Sequence, residues 1–148
     1  MDALALAFAG VHRMGLGQLI KHSLAKHIFV PAVGQGSLAI EVCLQLDPQK
    51  RALIRTVLND PKTEYCLNAE RAFLYTIQGG CSIPAFAHAQ LNGEKVKVEG
   101  GIISLNGSRI IKHLLEGPVG DAAIIGSQLG QMVLDSGGDK ILEEIRTN

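Results

Sequence analysis

The sequence predicts an α/β protein whose C-terminal part is an α+β domain, a three-stranded antiparallel sheet with helices packed on it. Three observations predict this class. Hydrophobic residues make up 47% of the 148-residue chain and charged residues 19%, which supplies the material for a core. Strand-like segments occur beside segments of helical periodicity. Asn-Gly pairs at 92–93 and 106–107 separate three strand-like segments, and this dipeptide is a strong hairpin signal.

The first 58 residues predict isolated elements rather than a finished fold. The apolar run 3–9 ends at Gly10, as a buried parallel strand does, although periodicity alone does not separate such a strand from a buried helix. The further elements predicted here are a helix over 16–26, strands over 28–30 and 37–42, and a helix over 47–58. So few strands leave sheet edges unpaired. We therefore expect residues 1–58 to be partial segments of larger α/β domains.

The rest of the chain predicts a complete domain over residues 59–148. Asn, Asp and Pro cluster at 59–62 and mark its boundary. A helix follows over 63–77, and Gly79-Gly80 is expected to end it by allowing a positive φ. The remaining predicted elements are strands over 83–91, 95–104 and 108–115 and helices over 121–135 and 139–146. The order is α-β-β-β-α-α.

Charge and cysteine content argue against several function classes. Fourteen basic residues balance 14 acidic ones and aromatics are 4%, so no nucleic-acid partner is expected. Cys43, Cys66 and Cys81 have neither zinc-site nor disulfide-framework spacing, so no metal is expected. The N-terminal apolar run follows an acid and is shorter than the ~20 residues of a membrane span. We expect a reduced, cytoplasmic protein without a membrane partner.

Cys81 is the first candidate for chemistry. It follows Gly79-Gly80, at a predicted helix exit where a side chain can reach a cleft. It is a nucleophile or attachment point, or else a buried cysteine without function. No His is adjacent, so a Cys–His hydrolase is not supported. Cys43 and Cys66 are predicted to belong to the core.

Two other patterns are weaker. The turn 34–36 (Gly-Gln-Gly) either offers backbone N–H groups to a ligand or is only a turn. Arg13 either clamps a carboxylate or is a solvated surface residue. Glu70 and Arg71 are interpreted as an exposed pair of little energetic weight.

Four motifs, taken in order, resemble the porphobilinogen deaminase (hydroxymethylbilane synthase) family. They are AGVHRMG at 9–15, PAVGQGSLAIE at 31–41, AERAFL at 69–74 and GGCSIP at 79–84. The resemblance covers essentially the whole chain. GGCSIP is the most specific motif, because it lies at the expected distance behind the AERA helix.

The resemblance implies a transferase of tetrapyrrole biosynthesis. Such enzymes condense four porphobilinogen molecules head to tail, with loss of ammonia, on a dipyrromethane primer joined to a cysteine by a thioether. Cys81 matches that cysteine, so its role becomes that of a tether. Arg13 matches an arginine that contacts acetate or propionate groups. The resemblance also places in or beside the cofactor cleft Ala7, Gln35, Gly36 and Ser82.

The resemblance also implies three domains. Two periplasmic-binding-protein-like α/β domains enclose a cleft, residues 1–58 matching parts of them, and residues 59–148 match the third, cofactor-bearing domain. The helix with Glu70 and Arg71 is assigned to structure or interdomain contact. The family's N-terminal half, with its acidic catalytic residue, has no counterpart here, so no catalytic residue is assigned. We expect a fragment that needs that half in cis or in trans; the alternative is a non-catalytic binding or interaction module.

Overall fold

A computed structural model describes residues 2–80 and 83–147. The elements are α1 (Phe8–Arg13), α2 (Pro48–Leu58), α3 (Pro61–Thr76), β1 (Ala85–Asn92), β2 (Lys95–Ile103), β3 (Ile110–Pro118), α4 (Ala122–Val133) and α5 (Asp139–Thr147). Short 3₁₀ turns cover Gly17–Leu19 and Val119–Asp121, and a π-helical turn over Leu134–Gly138 joins the last two helices. The mixed helix and sheet class predicted from the sequence is confirmed.

The three strands form one antiparallel sheet with β2 in the centre. Val98 of β2 lies opposite Ala89 on one side and Leu115 on the other. Both predicted hairpins are present. In the first, Asn92 pairs with Lys95, so the turn is Gly93-Glu94 and the glycine, with φ +62°, takes the first turn position. Glycine at that position is typical of a type II′ hairpin turn.

The core lies between one face of the sheet and the pair α3 and α4. Its fully buried large side chains are Phe73, Ile77, Val96, Val98, Ile102, Leu129, Val133 and Ile141. On α3 and α4 the buried positions recur every three or four residues, which places them on one face of each helix. Gly126 lets these two helices approach closely, because an added Cβ there would overlap the carbonyl oxygen of Ala69.

Two Asp-Pro pairs begin α2 and α3. The Asp47 carboxylate accepts hydrogen bonds of 3.0 Å from the N–H groups of Gln49 and Lys50, with Pro48 at the first helical position. Asp60 accepts from the Thr63 N–H at 2.6 Å, and this bond lowers the pKa of Asp60. The predicted boundary at 59–62 is therefore the capped start of α3, two residues earlier than expected.

The end of α3 differs from the prediction. Gln78, not either following glycine, has the positive φ, at +50°. Its N–H donates to the Tyr75 carbonyl at 3.0 Å, and the Gly79 N–H donates to the Leu74 carbonyl at 2.9 Å. This is the bonding pattern of a Schellman motif. Gly79 instead makes room for the Leu74 side chain, which a Cβ at this position would overlap.

The strands predicted over 3–9, 28–30 and 37–42 are wrong, and so is the long helix over 16–26. Within the described chain, these ranges hold only part of α1 and one 3₁₀ turn. The physical reason is that a strand needs a paired neighbour, and no residue from 2 to 60 is buried.

The helix predicted over 47–58 is confirmed as α2, but its apolar face is uncovered. Leu53, Val57 and Leu58 are each more than half exposed. Cys43 is also exposed, so its assignment to the core is wrong, whereas Cys66 is partly buried against the core. The apolar face of α2 and Cys43 therefore lie at the surface, whereas Val33 packs, partly buried, against the core.

Candidate functional site

The most enclosed charged group in the described chain is the Glu70 carboxylate on α3, which is 5% exposed. Its Oε2 accepts a hydrogen bond from the Gly34 N–H and its Oε1 from the Ala89 N–H, both at 2.8 Å. His88 Nδ1 lies 3.5 Å from Oε1. The interpretation of Glu70 as part of an exposed pair is therefore wrong; Arg71 alone is exposed.

The Ala89 contact follows from sheet geometry. Because β1 is an edge strand, alternate N–H groups along it have no partner within the sheet. The Glu70 carboxylate accepts a hydrogen bond from one of these groups, the Ala89 N–H. The spacing of Cys66, Glu70 and Phe73 along α3 could have revealed the site, since it places Glu70 on the helix face that carries core residues.

A surface pocket of about 250 Å³ lies beside Glu70. Its polar lining includes Gln35, Ser37, Lys62, Thr63, Cys66 and His88. The loop that brings Gln35 there is a pair of tight turns, with φ of +72° at Gly34 and +86° at Gly36. This combination of amide, hydroxyl and ammonium donors is suited to a ligand that carries acceptor groups.

The structure brings only some of the sequence-predicted site residues together. Gln35 and Gly36 lie on the loop beside Glu70, whereas Ala7 and Arg13 lie at either end of α1, exposed. The Arg13 guanidinium makes no hydrogen bond or ion pair with any part of the chain that the structure describes. Cys81 and Ser82 lie outside the described residues. Beside them, the Ile83 N–H donates to the Gly80 carbonyl at 3.0 Å.

Two properties of the described residues concern other classes of site. Over 2–80 and 83–147, no three His, Cys, Asp or Glu side chains are grouped to hold a metal ion. Over the same residues, no helix has the length and apolar character needed to cross a membrane.

The thiol of Cys66 is expected to react slowly with alkylating reagents. Burial raises its pKa, and the Glu70 charge raises it further, so little thiolate is present near neutral pH. At pH 8 we expect iodoacetamide to modify exposed Cys43 well before Cys66, and the rate at Cys66 to keep rising at more alkaline pH. Peptide mass spectrometry measures both rates in one sample. Equal rates would contradict the burial of Cys66.

Two family models match the chain in sequence order. Residues 1–50 match "Porphobilinogen deaminase, dipyromethane cofactor binding domain", and residues 64–135 match "Porphobilinogen deaminase, C-terminal domain". The chain belongs to the porphobilinogen deaminase family. Its members are transferases of porphyrin biosynthesis that use a dipyrromethane cofactor and porphobilinogen as substrate.

Curated porphobilinogen deaminases resemble the chain along nearly its whole length. The protein of Desulfosudis oleivorans is 47% identical over 145 residues, which are 98% of this chain and 47% of that protein. The protein of Cytophaga hutchinsonii is 48% identical over 145 residues, 98% of this chain and 46% of its own length. The chain thus spans about half the length of the curated relatives it matches.

The Glu70 site joins the two parts of the porphobilinogen deaminase sequence. Gly34 lies in the range that matches the cofactor-binding model, whereas Glu70 and Ala89 lie in the range that matches the C-terminal model. One buried carboxylate therefore bonds to backbone from both.

Proposed function

We propose that this chain is the cofactor-attachment portion of a hydroxymethylbilane synthase and that Cys81 forms the thioether to dipyrromethane. The observation that carries the proposal is the pair of family matches, one to a model named for this cofactor and the other spanning Cys81. A thiol is the side chain of choice for such a bond, because its thiolate is a strong nucleophile.

The chain around Cys81 supports a tether at this point. The packed helix α3 ends in a cap held by two backbone hydrogen bonds, and exposed Gly80 immediately precedes the cysteine in the sequence. The segment that leads to the proposed attachment point therefore runs from a packed helix to an exposed glycine. When bound, the dipyrromethane supplies the free pyrrole α-carbon at which chain growth begins.

Side chains of the described residues can bind the acetate and propionate groups that the cofactor carries according to the family resemblance. The Arg13 guanidinium, unpartnered within the described chain, can bind an acetate or propionate group in bidentate fashion. The Gln35 amide can donate to a second carboxylate. At Gly36 an added Cβ would meet no atom within 4 Å, which leaves space there for a ring, and the exposed Ala7 is assigned to the cofactor cleft by the resemblance. Ser82 is assigned to the tether's surroundings.

The reaction we propose for the complete enzyme is condensation of four porphobilinogen molecules on the primer with release of four ammonia molecules, after which one water molecule cleaves the new tetrapyrrole from the primer and becomes the hydroxyl of hydroxymethylbilane. None of the residues assigned here protonates the leaving amine, so we assign that step to the family's N-terminal half, present in cis or in trans. The exposed apolar side chains support such a partner: Leu4, Leu6 and Phe8 are all more than 60% exposed. A cytoplasmic location completes the proposal.

Porphobilinogen turnover tests this proposal. We expect the 148-residue chain alone to give no tetrapyrrole, and the chain mixed with the N-terminal half of the D. oleivorans relative to give hydroxymethylbilane, measured by mass spectrometry. Turnover by the chain alone would refute the claim that essential groups lie in the other half. The alternative, a non-catalytic module that retains the Cys-bearing domain, predicts no turnover in either sample.

A further inference from the structure

We propose that Glu70 is a positioning residue, which holds the loop 34–36 (Gly-Gln-Gly) against the domain that carries Cys81. Any effect of Glu70 on catalysis rests on the proposed function, whereas the hydrogen bonds of Glu70 to the loop and the sheet do not depend on it. Glu70 is one of two buried polar side chains among the described residues, the other being Ser104. Removing a carboxylate from water is costly unless hydrogen bonds replace its hydration.

The two oxygens of Glu70 are used by two different parts of the chain. Oε1 binds the edge of the sheet through Ala89, and Oε2 binds the loop through Gly34. An ionised carboxylate accepts at both oxygens, whereas a glutamine amide accepts at one and presents N–H donors at the other. A glutamine of the same size would therefore set a donor against one of the two N–H groups.

Few other hydrogen bonds hold this part of the chain against the C-terminal domain. Between residues 2–47 and the described residues from 59 onward, the only other one runs from Lys112 Nζ to the His27 carbonyl, at 3.5 Å and exposed. Inside the loop, the Gln35 and Ser37 N–H groups bond locally, to Ala32 and Gly34 carbonyls at 3.1 Å. The Gly34–Glu70 bond, together with Val33, which packs partly buried against the core, therefore places the Gln35 side chain beside the pocket.

The sheet contact is the one expected to survive in a Glu70→Gln variant. Ala89 belongs to a paired strand within the core, whereas the loop has no strand partner and only Val33 beside it packs, partly buried, against the core. The single amide oxygen of the new side chain would keep Ala89 and release Gly34. The consequence is a freed loop on an intact domain, which separates positioning from folding.

Amide hydrogen exchange measured by NMR on the 148-residue chain tests this inference. Loss of a hydrogen bond to a charged acceptor should speed exchange of the Gly34 N–H by about tenfold or more in Glu70→Gln, with Ala89 and Val98 unchanged. Glu70→Asp should also speed exchange of the Gly34 N–H. The side chain is one methylene shorter, so its carboxylate keeps the charge but does not reach both N–H groups. Glu143→Gln is the matched control: the same change at an exposed carboxylate should leave Gly34 unaffected.

Several outcomes would overturn the inference. Unchanged Gly34 exchange in Glu70→Gln would do so, and so would equal acceleration at Gly34, Ala89 and Val98, which would make Glu70 merely structural. If the variants fail to fold, amide exchange in the unaltered chain still tests the inference. The Gly34 N–H must exchange more slowly than the Gly36 N–H, which makes no hydrogen bond within the described chain. A missing cofactor adduct would refute the proposed function and leave this exchange result standing.

Discussion

Replacing Cys81 with serine is expected to abolish covalent attachment of dipyrromethane and, with it, tetrapyrrole synthesis. Thioether formation needs a thiolate, and a serine hydroxyl stays protonated and is a far weaker nucleophile at neutral pH. The measurement is intact mass after the chain has been combined with the N-terminal half of a relative and porphobilinogen. The unaltered chain should gain the mass of two pyrrole units, and Cys81→Ser should gain nothing.

The other two cysteines supply matched controls for this experiment. The exposed Cys43 thiol donates to Gln45 Oε1 at 2.6 Å, and Cys66 is held partly buried with a raised pKa. Cys43→Ser and Cys66→Ser should therefore keep the added mass. An adduct that persists in Cys81→Ser, or active enzyme whose Cys81 is unmodified, would contradict the tether.

Local signals were sufficient to predict the C-terminal domain. Asn-Gly pairs and Asp-Pro pairs act over two to four residues, so the two hairpins and the start of α2 could be predicted without tertiary information, and the start of α3 to within two residues. The cap at Gln78 was missed for a related reason. Glycine is the usual residue for positive φ, so the two glycines after Gln78 favour a cap one residue later than the one observed.

The first 58 residues could not be predicted in the same way. An apolar run such as 3–9 has the composition of a buried strand, but burial depends on neighbours that the run itself does not encode. In the structure the run is exposed, and only its last two residues are helical, as the start of α1. The family resemblance predicts that these residues are parts of larger domains, and that assignment stays a prediction; the local patterns predict strands that the structure does not contain.

The functional site shows the same division between local and long-range information. The family resemblance predicts a cofactor role for Gln35 and Gly36, and this role stays a prediction. The hydrogen bond between their loop and Glu70 spans 36 positions of sequence, so no local pattern predicts it. Because Glu70 is charged and precedes Arg71, the sequence alone predicts an exposed side chain for it. Only the edge of β1 and the approach of the loop make a buried carboxylate favourable at Glu70.

Gly126→Ala is expected to destabilise the protein, against the trend of helix propensity. In an exposed helix this change stabilises by about 1 kcal/mol. Here the new Cβ would overlap the Ala69 carbonyl oxygen, a backbone atom that cannot rotate away, so α3 and α4 must separate. Overpacking of this kind typically costs about 1–3 kcal/mol. We expect the free energy of unfolding to fall by about 2 kcal/mol, measured by urea denaturation.

Gly120→Ala separates this steric effect from any general effect of replacing glycine. An added Cβ at Gly120 would meet no atom within 4 Å, so its free energy of unfolding should change by less than about 0.5 kcal/mol. Gly130, one helical turn after Gly126, should follow Gly126, because a Cβ there would lie 2.7 Å from Thr76 Cβ. If Gly126→Ala instead stabilises the chain, α3 and α4 are not in contact through this glycine. The core between the sheet and these helices would then need a different packing.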